Sequence, residues 1–123
     1  MNELTQKSDD ITELIKAQVA ANANITHPTK NVVNTFFKSK YADLGSVIDC
    51  YRQAYADQGL VVTQLVAGSH LVTLLAHSSG QWIQSSAAIT PDKSGVQAFG
   101  SALTYMRRYT LQTLIGVAAD DDD

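Results

Sequence analysis

LVVTQLVAGSHLVTLLAHSSGQWIQSSAAIT, residues 60–90, decides the fold. It divides into three runs rich in β-branched and aliphatic residues, LVVTQLVA (60–67), HLVTLLAH (70–77) and QWIQSSAAIT (81–90). The two breaks, Gly68-Ser69 and Ser78-Ser79-Gly80, have the length and composition of tight hairpin turns. Three strands joined in this way form an antiparallel meander, because such short connections leave no room for a crossover.

Helical periodicity flanks the meander on both sides. Upstream, Asp43 is placed to cap a helix with Leu44, Val47, Ile48, Tyr51 and Tyr55 on one face, and Gly59 ends it. The preceding TFFKSKY is a short extended candidate. Further back, Ser8, Asp9 and Asp10 mark a helix start, followed by Ile11, Leu14, Ile15 and Val19, and Pro28 closes the segment. That first stripe is thin, so the helix reads equally as a loosely attached arm, an interface element or a packed helix. Downstream, PDKSG (91–95) is a loop and a long helix runs from Val96 to Gly116. The expected class is α+β, an antiparallel meander of three to four strands packed against a long C-terminal helix, with edge strands that need protection or a partner.

The chain has 123 residues, 45% of them hydrophobic and 17% charged, the profile of one globular domain. No apolar run approaches the roughly 20 residues of a membrane span, and the N-terminus lacks a signal peptide's pattern, so a soluble cytosolic protein is expected, without membrane association. A single cysteine, Cys50, excludes an intrachain disulfide and suits a small buried helix residue. His27, His70 and His77 lack metal-ligand spacing and read as polar loop or strand residues; no metal or cofactor is expected. The formal charge is -3, but four of the twelve acids are Asp120 to Asp123, and without them the charge is +1. Between Lys30 and Arg108, seven basic residues face four acidic ones. The chain is a mildly basic body with an acidic end.

The candidate binding chemistry lies in the last helix. At about 100° per residue, Val96, Phe99, Leu103, Met106, Thr110 and Leu114 share one side, with Ala102 and Tyr109 at its margin. Gln97, Ser101, Thr104, Arg108 and Gln112 share the other, with Tyr105 one turn from Arg108. Arg107 falls at the opposite margin, so the two guanidinium groups diverge and Arg108 is the better candidate for an open polar face. Arginines with hydroxyls nearby suit phosphate oxygens, and tyrosines can stack on bases. The alternative is a solvated face paired with carboxylates. In FFKSKY, Lys38 and Lys40 alternate with Phe37, Ser39 and Tyr41, and Lys93 in the 91–95 loop is placed to reach the same rim. Arg52 reads as solvated.

Catalysis has little support. GVQAFGS (95–101) has the two glycines of a phosphate loop but Ser101 where the lysine must stand. No Ser, His and Asp arrangement is visible, and the terminal aspartates read as a solvated end rather than a metal-dependent nuclease centre. The protein is not expected to be an enzyme.

Three segments resemble the ERF (essential recombination function) family of phage single-strand annealing proteins: KSKYADLGSVIDCYRQAYADQGLVVTQ, LVTLLAHSSGQWI, and GSALTYMRRYTLQTLIGVAADDDD. The most specific part, GSAxTYxRRYxLQxLxGxAxxDDD, is matched from Gly100 to Asp123, and KYADL from Lys40 to Leu44 is a second anchor. The resemblance divides the chain into an N-terminal helix and connecting segment (1–35), an ERF-like core (36–119) and an acidic end (120–123). It implies a fold similar to ring-forming annealing recombinases, ATP-independent binding of single-stranded DNA and annealing of complementary strands in phage homologous recombination. It implies assembly into a ring or helical filament, in the cytoplasm of an infected or lysogenic bacterial host. Arg107, Arg108, Thr104, Tyr105, Ser101, Lys38, Lys40, Lys93 and Tyr41 are the expected DNA-binding residues. Members of the family continue beyond the aspartates into a variable tail. The present sequence ends within the acidic motif, so either the native chain is longer or it lacks the tail, through which a phage exonuclease or host single-strand binding protein would be recruited. The competing reading is an oligomeric structural or interaction protein whose basic face binds an acidic partner.

Overall fold

The computed structural model describes residues 5–34 and 39–118. Phe36, Phe37, Lys38 and the acidic run Asp120 to Asp123 lie outside the described residues. The elements in chain order are β1 (Thr5–Lys7), α1 (Thr12–Asn22), β2 (Val32–Asn34), β3 (Ser39–Tyr41), α2 (Leu44–Asp57), β4 (Leu60–Ala67), β5 (His70–His77), β6 (Trp82–Ala88) and α3 (Val96–Ile115). The architecture is α+β, as expected.

The meander forms as the sequence dictates. β4 pairs with β5 from Leu60↔His77 to Ala67↔His70, which leaves Gly68 and Ser69 as a two-residue turn, and Gly68 adopts the positive φ of +62° that this turn demands. β5 pairs with β6 from His70↔Ala88 to Ala76↔Trp82. A fourth strand, β1, adds antiparallel to β6 with Gln6 opposite Gln84, giving the order β1-β6-β5-β4. β2 and β3 form a separate two-stranded ribbon.

The same register fixes the two faces of the sheet. Val62, Leu75 and Ile83 stand in one cross-strand row, Gln64, Thr73 and Ser85 in the next, and these rows face the helices. Leu60 and Leu75 are buried with Leu14, Ala17 and Ala21 of α1, Val47, Tyr51 and Tyr55 of α2, and Leu111 and Ile115 of α3. All three helices thus share one core on one face. Fully burying each of the larger side chains contributes on the order of 1.5–3 kcal/mol.

Contacts hold α2 at both ends and α1 at its start. Asp43 caps α2 through its carboxylate, which accepts the Ser46 amide at 2.9 Å and lies 3.2 Å from the Asn31 side-chain amide. The Ser46 amide is the first cause of the lowered Asp43 pKa, because a hydrogen bond to the ionised form favours it. α2 ends at the tight turn containing Gly59, whose φ is +73° and whose missing Cβ would lie 2.7 Å from Ser78 Oγ, so a side chain there is both strained and crowded. Gln81, from the β5–β6 turn, accepts the first-turn amide of Leu14 at 2.9 Å and so fixes α1 to the sheet.

Three expectations about local structure change. Ser8 does not cap α1. Its hydroxyl accepts the Trp82 amide at 3.0 Å and its own amide donates to Trp82 O, continuing the β1–β6 ladder, while Asp10 accepts the Thr12 amide at the helix entrance. The buried stripe of α1 is Leu14, Ala17 and Ala21; Ile15 and Val19 point outward, Val19 being 68% exposed. The small alanines let α1 sit close to the shared core. On α3 the buried side shifts around the helix toward the C-terminal end, where Leu111, Gln112 and Ile115 are buried with Leu114 at their margin, while Val96 at the start is 91% exposed. The C-terminal half of α3 packs into the shared core while Met106, Thr110 and Leu114 still face the sheet, so no single stripe describes it.

Candidate functional site

α3 carries two arginines in succession, and helical geometry sends them to different sides. The guanidinium of Arg108 lies over the Tyr41 ring, 4.7 Å from its centroid, and 5.6 Å from the centroid of Tyr105. Tyr105 and Tyr109, four residues apart on the helix, lie nearly parallel, 6.0 Å between centroids with 9° between planes. Tyr105 and Tyr109 are 54% and 50% exposed. Tyr41, Arg108, Tyr105 and Tyr109 therefore form a row of planar groups along α3, its Tyr41–Arg108 end half-buried and its Tyr105–Tyr109 end exposed. A guanidinium over a tyrosine face is attracted by the ring quadrupole and keeps its charge.

Arg107 turns instead toward the sheet. It is half-buried, and its Nε donates to Gln64 Oε1 on β4 at 3.2 Å. Its charge also reaches Tyr51: burial raises that phenol's pKa, and the nearby positive charges of Arg52 and Arg107 offset part of the rise. Among the described residues no carboxylate pairs with Arg107.

Other expected residues group around the N-terminal half of α3. Ser101 and Tyr105 line a groove of about 310 Å³ together with Thr90, Asp92 and Met106. Ser101 also borders an adjoining hollow of about 530 Å³, lined by Asp92, Lys93, Gly95 and Gln97. Thr104 is exposed on α3. Lys40 is exposed on β3, and strand alternation places it on the other side of that strand from Tyr41. The structure thus brings together Tyr41, Arg108 and Tyr105, joins Ser101 and Lys93 in a neighbouring hollow, and separates Arg107 and Lys40 from both. Lys38 lies outside the described residues.

Four residues that sequence reasoning passed over enter the site. Tyr109 falls at the apolar margin of the wheel, although the four-residue spacing from Tyr105 in TYMRRY already allows a stacked pair. Asp92 puts a carboxylate in the groove beside Tyr105. Gln64 and Thr110 tie Arg107 to β4, a contact with no local signal because it spans the meander.

The family model described as the ERF superfamily matches residues 14–123, nearly the whole chain. The chain belongs to the ERF superfamily. No curated protein and no solved structure matches it significantly. ERF membership connects the chain with phage recombination and strand annealing, and in general terms with single-stranded DNA and oligomerisation. Within the matched region, Tyr105, Arg108 and Tyr109 belong to the planar row and Arg107 is the sheet-bound arginine, while Leu111 and Gln112 are buried against the core. The remaining chemistry is sparse. No group of three or more His, Cys, Asp or Glu side chains able to hold a metal occurs among the described residues, and none of the described helices is long and apolar enough to cross a membrane. Gly100 lies inside α3, so the two glycines of GVQAFGS do not form a loop.

Proposed function

We propose that this protein binds single-stranded DNA and anneals complementary strands without nucleotide hydrolysis, acting in phage homologous recombination in the cytoplasm of a bacterial host. The observation that carries this reading is the row in which Arg108, half-buried over Tyr41, adjoins the exposed pair Tyr105 and Tyr109, on a member of the ERF superfamily. Half-exposed tyrosines offer sequence-tolerant stacking to bases, and the interleaved guanidinium attracts the backbone. Such a surface holds a strand by its phosphates and by one face of some bases. The pairing edges stay open to a second strand.

Arg107, Arg108 and Lys93 neutralise phosphates, with Lys38 and Lys40 as further contacts, which lowers the repulsion between two polyanions. Thr104 and Ser101 supply hydroxyl donors along the same helix. Duplex formation is itself downhill, so no fuel and no catalytic group is required. One subunit offers few cations, and assembly into a ring or filament links weak sites into one continuous groove, multiplying their affinity. The outer edge of β4 has no partner strand among the described residues and suits such assembly.

The test is direct. Fluorescent single-stranded oligonucleotides should bind with an affinity that falls steeply as salt rises, and annealing of complementary oligonucleotides should accelerate without ATP.

A further inference from the structure

At the seam between α3 and β4 lies a polar chain whose hydrogen-bond directions are all determined. The Thr110 hydroxyl donates to Met106 O at 2.7 Å, one turn back along α3. Its single proton thus committed, it can only accept from the Gln64 side chain, whose Nε2 lies 2.9 Å away. Nε2 uses its second proton on Thr73 Oγ1 at 3.0 Å, and Thr73 is buried. With both amide protons placed, Gln64 Oε1 is fixed as an acceptor, and it takes the Nε proton of Arg107 at 3.2 Å. Flipping the amide would set a carbonyl oxygen against a hydroxyl with no proton to give and an NH2 against a guanidinium.

Holding an arginine by Nε has a specific chemical consequence. It orients the guanidinium plane and leaves the Nη1/Nη2 end as the fork that receives two oxygens of an anion. A neutral acceptor does this without cancelling charge, whereas a carboxylate at the same place would neutralise it. We infer that Gln64 is a positioning residue for Arg107, presenting its guanidinium end-on to a backbone phosphate of the bound strand. This rests on the proposed DNA binding and adds a β4 residue that touches no DNA. Because Gln64 lies on the sheet's edge strand, the orientation of Arg107 is coupled to the placement of β4.

The experiment is a double-mutant cycle on the full chain, with oligo(dT) as the probe and salt titrations for each protein. The variants are Gln64→Met, which keeps length and volume, Arg107→Ala, Arg108→Ala, and the combinations of Gln64→Met with each arginine variant. Gln64→Met is expected to weaken binding several-fold and to flatten the salt dependence, the slope of log K against log salt falling in magnitude by no more than about 0.7, the share of one single-strand phosphate contact. It should add nothing in the Arg107→Ala protein and its full effect in the Arg108→Ala protein. A loss confined to fold stability would appear equally in both backgrounds and would overturn the inference, as would unaltered binding by Gln64→Met. If that variant does not fold, Gln64→Glu retains the acceptor and adds a charge on Arg107. It should flatten the salt dependence, and an unchanged slope is the contrary result. Absence of oligo(dT) binding by the unsubstituted protein would instead defeat the DNA-binding reading itself.

Discussion

The Arg108 guanidinium rests 4.7 Å from the centre of the Tyr41 ring, joining the ribbon strand β3 to the middle of α3. A cation over an aromatic face is worth about 0.5–1 kcal/mol at an exposed site. Replacing Tyr41 with Phe should preserve the arrangement, and Leu should release Arg108. Single-strand affinity is expected to fall for Tyr41→Leu but not for Tyr41→Phe, measured by fluorescence anisotropy at fixed salt.

The stacked pair Tyr105 and Tyr109 predicts a distinct pattern. Base–aromatic stacking is worth about 1–3 kcal/mol per base by alanine substitution, and it needs the ring rather than the hydroxyl. Tyr105→Ala should therefore cost about tenfold or more in affinity, with the salt slope unchanged, while Tyr105→Phe binds nearly as the parent does. Loss of affinity in the Phe variant equal to that in the Ala variant would assign the effect to the hydroxyl.

Asp92 shares a groove with Ser101 and Tyr105 and adjoins Lys93. Its negative charge opposes a phosphate backbone, so Asp92→Asn is expected to tighten binding modestly at low salt, with the gain vanishing at high salt. A gain that persists at high salt would mean that the new amide makes a contact of its own.

Stability should divide sharply on α1. Leu14 is fully buried, and Leu14→Ala is expected to cost about 2–5 kcal/mol, whereas Val19→Ala at an exposed position should fall within about 0.5 kcal/mol of the parent. Urea denaturation measures both. Equal, small effects would mean that α1 contributes little to the core.

How far the fold was legible follows from where each signal is stored. β4, β5 and β6 were readable because aliphatic runs and two short turns lie next to each other in the chain. β1 was not, since TQK has no apolar alternation and its partner around Gln84 is remote. Ile15 and Val19 read as a core stripe because they are large, yet the core side of α1 is formed by Leu14, Ala17 and Ala21. The wheel did foretell that Arg107 and Arg108 diverge. It could not reveal that Gln112 is buried or that Tyr41 meets Arg108, because both depend on which elements pack beside α3.

The Asp43 cap makes a pH prediction. Its carboxyl pKa is lowered below 3.8, first by the Ser46 amide and then by the Asn31 side chain. A folded value below the unfolded one contributes stability that is present above the unfolded value and is lost as pH falls through the folded one. Asp43→Asn should therefore show a shallower fall of melting temperature below about pH 4 than the parent. An identical acid limb in both proteins would place the acid sensitivity elsewhere.

The central claim, that the planar row on α3 binds single-stranded DNA so that strands can pair, is tested most directly by one annealing measurement. Complementary fluorescent oligonucleotides are mixed without ATP, with the parent protein and with the Arg108→Ala/Tyr105→Ala double variant, both shown to be folded by circular dichroism. The account predicts faster annealing by the parent than in the protein-free control, and near-control rates for the variant. Equal acceleration by both proteins, or none by either, would contradict it.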